Sequence, residues 1–457
     1  MTEADAGFRR ELGLFDSAVV VAGGIVGVGI FANPSNVART VGAPALILSV
    51  WAIGGGVALI GAFVWAELAS RFPHVGGQYV YLQKAYPPIV GFLYGVALLF
   101  IINGGSLAAV SILFASYVDR SFITLGPTGI RLTAAAALVG LTAVNAIGVR
   151  AGTRTNNVLM GAKVLGMLTL IGLAFSDGSR PASDFTTRAI ETSTASGGLG
   201  FVRMILTALV PVLFAYGGWQ SCGNIAAEIK DPARNLARAN VIGVTVVVAL
   251  YLSMNLAYLW VMTPSEMAAS PALASDMARA VAGATGARFV AALIVVSSLG
   301  FLAVVILTGP RLYYAMAADG LFFRRAGRLH PRFRTPVFAL SFQAAVSLAL
   351  MTTNTYDQLL SYVVFADWLF FGLTAAALFV VRARDDAGGA VHGGVPGHPV
   401  TTGVFVAVAA GVVVNSFVAY PTQSLVGTAI LAVASAVFFK VRGASTVSEV
   451  AAPSAKP

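Results

Sequence analysis

The sequence predicts an all-α polytopic membrane protein: twelve transmembrane helices, arranged as two inverted five-helix repeats (5+5) plus two C-terminal helices. Three observations predict it. Hydrophobic residues make up 57% of the chain and charged residues only 11%, against about 25% charged in a soluble domain, so most of its solvent is lipid. Apolar stretches recur along the whole length, each near the ~20 residues that cross hydrocarbon. Two of them, the first and the sixth, are interrupted by glycines where a membrane helix should be most regular. These are Gly23-Gly24-Ile25-Val26-Gly27-Val28-Gly29-Ile30-Phe31 and Phe214-Ala215-Tyr216-Gly217-Gly218-Trp219.

In order, the first repeat (14–176) places spans at 14–38, 44–70, 87–118, 130–148 and 155–176. The second (200–381) places them at 200–227, 239–262, 287–316, 336–352 and 358–381. The final pair lies at 400–418 and 423–440. Residues 1–13 form a polar, cytoplasmic N-terminus, and Met1 to Arg10 lack the pattern of a cleaved signal peptide. The stretch Ser176-Asp177-Gly178-Ser179-Arg180-Pro181 closes the fifth span. Residues 382–399, with Asp385-Asp386 and several glycines, histidines and prolines, read as a cytoplasmic linker between the ten-helix core and the last two helices. Residues 441–457 read as a disordered tail. With the N-terminus inside, most of the 29 Lys and Arg residues fall in cytoplasmic loops, which is the positive-inside pattern. Both termini are therefore expected on the cytoplasmic side of a cell membrane.

The net charge of +10 describes this topology and an attraction to anionic lipid headgroups. No basic soluble domain exists to bind nucleic acid. The single cysteine, Cys222 in the sixth span, excludes an internal disulfide, and a disulfide-linked subunit is not expected. His74, His330, His392 and His398 all fall in loops or helix ends, so neither a metal centre nor another cofactor is expected. An enzyme would need a nucleophile–base or metal constellation, and no nucleotide-binding domain supports a primary pump.

The breaks point to a carrier. Glycine costs about 1 kcal/mol relative to alanine in a helix, and unpaired backbone inside a membrane is tolerated only where protein or a watery cavity covers it. Broken helices at corresponding places in two halves mark a transporter's binding site. The half-helix beginning near Ile30 offers free N–H groups and a positive dipole end to a carboxylate. The half-helix ending near Ile25 and Val26 offers carbonyls to an ammonium, as do the carbonyls near Phe214 and Gly217. An α-amino acid carries both charges on one carbon.

Two ionisable residues lie deep in spans, where a charge costs several kcal/mol unless it is paired, hydrated or neutralised. Lys163 sits about two turns inside the fifth span. Asp367 sits near the middle of the tenth, as a gating residue, a proton site, a counter-charge for a cationic substrate, or a protonated carboxyl bonded to a neighbouring helix. Glu67 and Arg71 have the spacing of an interface ion pair, and Glu228 begins a cytoplasmic helix end. Among the amides Asn103, Gln220 and Asn224, Gln220 is the first choice for a cavity position because it follows Trp219. Cys222 reads as packing.

Gly27-Val28-Gly29-Ile30-Phe31 is similar to the Gly-Ser-Gly-Ile-Phe signature of the amino acid–polyamine–organocation (APC) transporter superfamily. Phe214-Ala215-Tyr216-Gly217-Gly218-Trp219, followed by Glu228-Ile229-Lys230-Asp231-Pro232, resembles its sixth helix in bacterial relatives of the L-type amino acid transporter branch. Glu67 with Phe72-Pro73 and Gly76-Gly77-Gln78-Tyr79 also matches, as do Asn145-Ala146-Ile147-Gly148 leading to Lys163, and the run from Arg311 to Gly320. The resemblance covers nearly the whole chain.

It implies that backbone N–H groups around Val28, Gly29 and Ile30 hold the substrate carboxylate. Carbonyls of Ile25, Phe214 and Gly217 would hold the ammonium, with Phe214 also an aromatic lid. Val28 departs from the family's serine, removing a hydroxyl contact while keeping the backbone donor. The resemblance places Lys163 where sodium-driven relatives bind their cation, with Ser297, Ser298 and carbonyls of the first break as partners. It implies sodium-independent secondary transport of amino acids, neutral ones foremost: proton symport if Lys163 releases its proton, exchange if it stays charged. A carrier of cationic amino acids or polyamines by antiport is the alternative, and a membrane-embedded enzyme or channel a remote one.

Overall fold

The computed structural model describes residues 12–72, 77–147, 152–176, 187–220, 229–333, 335–384 and 394–450. Among them are sixteen α-helices and no strand beyond a single parallel bridge between Leu12 and Ile229. The first span is two helices, α1 (Leu14–Ile25) and α2 (Gly29–Val41), bent by 45° across Val26, Gly27 and Val28. After α3 (Pro44–Arg71) and the short α4 (Gln78–Ala85), the third span runs through α5 (Pro88–Ala97) and α6 (Gly104–Ser121). Then follow α7 (Gly126–Ile147), α8 (Gly152–Ser176), α9 (Thr187–Tyr216), α10 (Pro232–Val261) and α11 (Pro264–Ala269). The remainder is α12 (Leu273–Ala318), α13 (Val337–Thr353), α14 (Tyr356–Arg384), α15 (Val400–Ala419) and α16 (Pro421–Val450).

Among the described residues, nine helices are long and apolar enough to cross a membrane, and the bent pair α1–α2 makes a tenth. At the fifth and ninth expected spans the apolar helices are shorter, Lys163–Ser176 and Val337–Thr353. The chain is an all-α polytopic membrane protein, and twelve spans are reached only when those two are counted.

Several boundaries differ from the hydropathy pattern. Between α5 and α6, Leu98–Asn103 is wound as a π-helix, which apolar periodicity does not distinguish from regular helix. The helix around the eighth span starts earlier, at Leu273, and turns at Gly283 (φ 65°) before the apolar run. The helix carrying the sixth span begins upstream, at Thr187, but its apolar crossing part runs Gly198–Tyr216 and stops there; residues 221–228, with Cys222, Asn224 and Glu228, lie outside the described residues. At the C-terminus α16 runs past Lys440 to Val450, into the stretch expected as a tail. Residues 441–450 contain no proline to stop a helix.

Two clusters fix the frame around the centre. Behind the first break, Trp51 of α3 packs edge-on against Tyr216 of α9 and Tyr251 of α10, with ring centroids 5.6 and 5.8 Å away. At the ends of α3 and α14, the fully buried Glu67 carboxylate binds Arg71 (2.9 Å) and Arg382 (2.6 Å), and accepts the N–H of Val395 (2.8 Å). The expected i,i+4 pair is therefore part of a larger clasp that holds the residues before α15 against the bundle. Burial, and then the Arg382 guanidinium, hold the nearby His398 ring below its usual histidine range.

Candidate functional site

The two breaks touch. A Cβ on Gly29 would lie 2.8 Å from both Cα and Cβ of Ala215 in α9. Gly218, with φ +122°, presses against the carbonyl of Gly24, and a Cβ there would overlap that oxygen. Glycine is required at Gly218 twice over, for its positive φ and for this approach. Asn33 strengthens the crossing by donating its Nδ2 to the Pro211 carbonyl across 2.7 Å.

Beside the crossing lies a cavity of about 150 Å³. A single water needs on the order of 10–15 Å³ on this measure, so the space holds several waters or one small zwitterion. Its wall includes Ile25, Val28, Gly29, Lys163, Phe214, Gly217, Gln220 and Asp367, brought together from α1, α2, α8, α9, α14 and the segment after α9. Ile30 is close by in sequence but fully buried, and does not line it.

At the first break, Val26 leaves the helical region (φ −67°, ψ 89°) while its N–H still reaches the Ala22 carbonyl. In the next turn, Phe31 and Ala32 both donate to the Val28 carbonyl, at 3.0 and 3.3 Å. The N–H groups of Val28, Gly29 and Ile30 make no hydrogen bond among the described residues. They are the orphan donors of a helix start, left open at a positive dipole end.

The carbonyls of this break are held by remote side chains. The Tyr251 hydroxyl donates to Ile25 O across 3.1 Å, and that of Tyr258 to Ile30 O across 3.3 Å. Lys163 Nζ lies 3.5 Å from Val26 O. Lys163 therefore meets a break carbonyl, one of the partners the sequence implied. The other two partners are not met: Ser298 bonds back to Ile294 O (2.7 Å) and Ser297 Oγ is buried without a hydrogen-bond partner. A helical serine readily satisfies itself on the i−4 carbonyl, which removes Ser298 from the ammonium's shell. Neither serine lines the cavity.

The second break satisfies itself. Gly217 donates to the Phe214 carbonyl (3.1 Å), closing a turn at the end of α9. Gly218 donates to Gln220 Oε1 (2.9 Å), so Gln220 caps the loose end with its oxygen while its side chain lines the cavity. The Phe214 carbonyl, expected to face an ammonium, keeps one lone pair for that purpose.

Sequence reasoning missed Tyr251, although a hydroxyl in mid-span with Asn255 one turn on was a signal that a buried partner exists. It placed Asn103 in mid-span without its setting. Asn103 ends the π-helical stretch, lines the cavity and donates to the Tyr313 hydroxyl (3.2 Å). Asp367 faces the cavity and, among the described residues, makes no hydrogen bond or ion pair.

Comparison with known proteins fits this arrangement. The profile of the amino acid permease family matches residues 12–439. The chain is 32% identical to the b(0,+)-type amino acid transporter 1 of Mus musculus over 381 residues, covering 82% of this chain and 76% of that protein. The Homo sapiens counterpart is 31% identical, with the same coverage. Over 377 residues the chain is 30% identical to the large neutral amino acids transporter small subunit 2 of Mus musculus, covering 82% of this chain and 70% of that protein.

Proposed function

Because the chain belongs to the amino acid permease family, we propose that it is a sodium-independent secondary carrier of amino acids in the cell membrane, with neutral L-amino acids among its substrates. It is an amino acid transporter and not an enzyme. The observation that carries the site is the pair of open N–H groups at Val28 and Gly29, which line the cavity at the start of α2, with the unbonded N–H of Ile30 next in the chain. They take the substrate carboxylate. The remaining lone pairs of Ile25, Phe214 and Gly217 take the ammonium, and Phe214 closes over the bound molecule.

Lys163 replaces a coupling cation. Its ammonium reaches from α8 to the Val26 carbonyl, so it holds the break in shape and reports on it. The two inverted repeats, 14–176 and 200–381, rock against each other about the crossing and give alternating access. The termini lie in the cytoplasm, in keeping with the loop charges. Both proton symport and exchange are compatible with a buried lysine.

Purified protein in proteoliposomes tests this. Amino acid uptake is expected without sodium, driven either by an internal amino acid or by an inward proton gradient. Dependence on internal substrate establishes exchange, and accumulation driven by pH establishes symport. An absolute sodium requirement would remove the role given to Lys163.

A further inference from the structure

We infer that the segment between α12 and α13 is a binding site for one anionic phospholipid, and that the bound lipid steadies the π-helical turn at the cavity wall. The second half rests on the carrier reading above, because transport is where the effect shows. The first half stands on the surface itself.

Net charge draws any basic membrane protein toward anionic lipid. A site needs more: guanidiniums that nothing else occupies, held beside apolar surface. Several arginines near this face are engaged within the protein, Arg71 and Arg382 with Glu67 and Arg384 with the Lys84 carbonyl (2.7 Å). Arg324, Arg325 and Arg328, on and just after a 3-10 turn (Arg324–Gly327), differ from these. They are exposed, and their side chains make no hydrogen bond or ion pair among the described residues. No Asp or Glu occurs between Asp319 and Asp357, and Asp319 is turned to the Tyr79 hydroxyl (2.8 Å). The local chain therefore offers no counter-charge.

Phe323 follows directly in this surface, and Phe338 lies in the first turn of α13; they are 60% and 38% exposed. Open phenyl rings beside cationic side chains, at the end of a span, suit the boundary between headgroups and acyl chains. A phospholipid satisfies both halves. Its phosphodiester takes the guanidiniums, and its chains cover the rings. A soluble phosphate satisfies only the first.

The rings also lead inward. Phe323 packs edge-on against Phe342 (6.1 Å between centroids), and Phe338 stacks on the same ring (6.0 Å). Phe342 in turn meets Phe100 (5.9 Å), a residue of the π-helical Leu98–Asn103. A turn of this kind recurs at functional sites, and here it ends on Asn103, in the cavity wall. A lipid seated on Phe323 and Phe338 fixes Phe342 between them, and with it the packing around that turn.

The test reconstitutes the full chain in phosphatidylcholine vesicles, alone or with a third of phosphatidylglycerol. Leucine uptake is measured in each, and retained lipid by native mass spectrometry of the purified protein. Wild type retains phosphatidylglycerol, and its uptake rises several-fold with it. The triple variant Arg324→Gln, Arg325→Gln, Arg328→Gln lowers retention about a hundredfold, near fivefold for each arginine. It loses the rise and matches wild type in phosphatidylcholine alone. Arg234→Gln with Arg238→Gln removes two exposed charges at the start of α10 and keeps both retention and rise. Phe342→Leu keeps the lipid and blunts the rise. The inference is overturned if the triple variant retains lipid like wild type, or if both sets of charge removal act alike, which would mean net charge only. It is also overturned if inorganic phosphate gives wild type the same rise. Retained lipid without any change in uptake overturns the second half. Failure of wild type to carry leucine in either vesicle strikes the carrier reading instead, and retention alone then decides the first half.

Discussion

The two broken segments do different work. The first, Val26 to Val28, leaves three N–H groups open and has its carbonyls held from outside by Tyr251 and Lys163. The second, after Tyr216, closes on itself through the Gly217–Phe214 turn and the Gln220 cap, and turns on a glycine at φ +122°. One is an open electrostatic site supported by distant side chains; the other is a rigid corner that fixes where the first must sit. The open N–H donors lie at the first break, while the second sets a corner beside the carbonyls of Phe214 and Gly217.

Changes in the corner should therefore be the most damaging. Gly218→Ala forces a side chain onto the Gly24 carbonyl and into a disfavoured φ, which alone costs about 1–3 kcal/mol. The overlap adds to this, so the detergent-solubilised protein should be poorly folded and inactive. A thermal midpoint equal to wild type would show that the breaks do not cross there. Next in size is Lys163→Ala, which strips the first break of its ammonium. Folded protein should elute normally in size-exclusion chromatography while uptake drops by tenfold or more, about 1.4 kcal/mol or greater. Wild-type rates would take this residue out of the mechanism.

Gly29→Val tests the contact between the breaks. Because the missing Cβ points at Ala215, its effect is on packing, roughly 1–3 kcal/mol, and should appear as lowered thermal stability together with weaker substrate affinity. A change in affinity at constant stability would instead place this position in the ligand pocket alone. Tyr251→Phe removes the hydroxyl that holds Ile25 O, at about 1–3 kcal/mol for an orphaned buried acceptor. Its signature is a lower thermal midpoint, and an unchanged one would mean that other groups hold the break. The smallest effect belongs to Gly27→Ala. The nearest atoms to a Cβ there are a Phe301 ring carbon at 3.6 Å and Ile25 O at 3.7 Å, ordinary contacts, so stability should move by less than about 1 kcal/mol. A collapse of Gly27→Ala to the level of Gly218→Ala would erase the contrast between the two breaks.

Much of this was written locally. The glycines at 27 and at 217–218 announced both interruptions, Pro399 and the glycines before it marked the approach to α15, and the i,i+4 spacing of Glu67 and Arg71 announced their pair. Arg382, the third member of that group, was not legible, because it comes from the far end of α14. The serines at 297 and 298 show the opposite failure. Their position in the eighth span invited a partnership with Lys163, and one of them spends its hydroxyl on its own helix.

The sequence by itself determined the membrane environment, the order of the apolar helices and the two points where helix is abandoned, because hydropathy and glycine propensity act over a few neighbouring residues. Only the tertiary structure decided which carbonyl Tyr251 and Lys163 reach, that Gly29 meets Ala215, that Leu98–Asn103 widens into a π turn, and that Asp367 opens onto the cavity. Each of these depends on distances between residues far apart in the chain, and hydrogen bonds and van der Waals contacts are decided over a few ångströms of space.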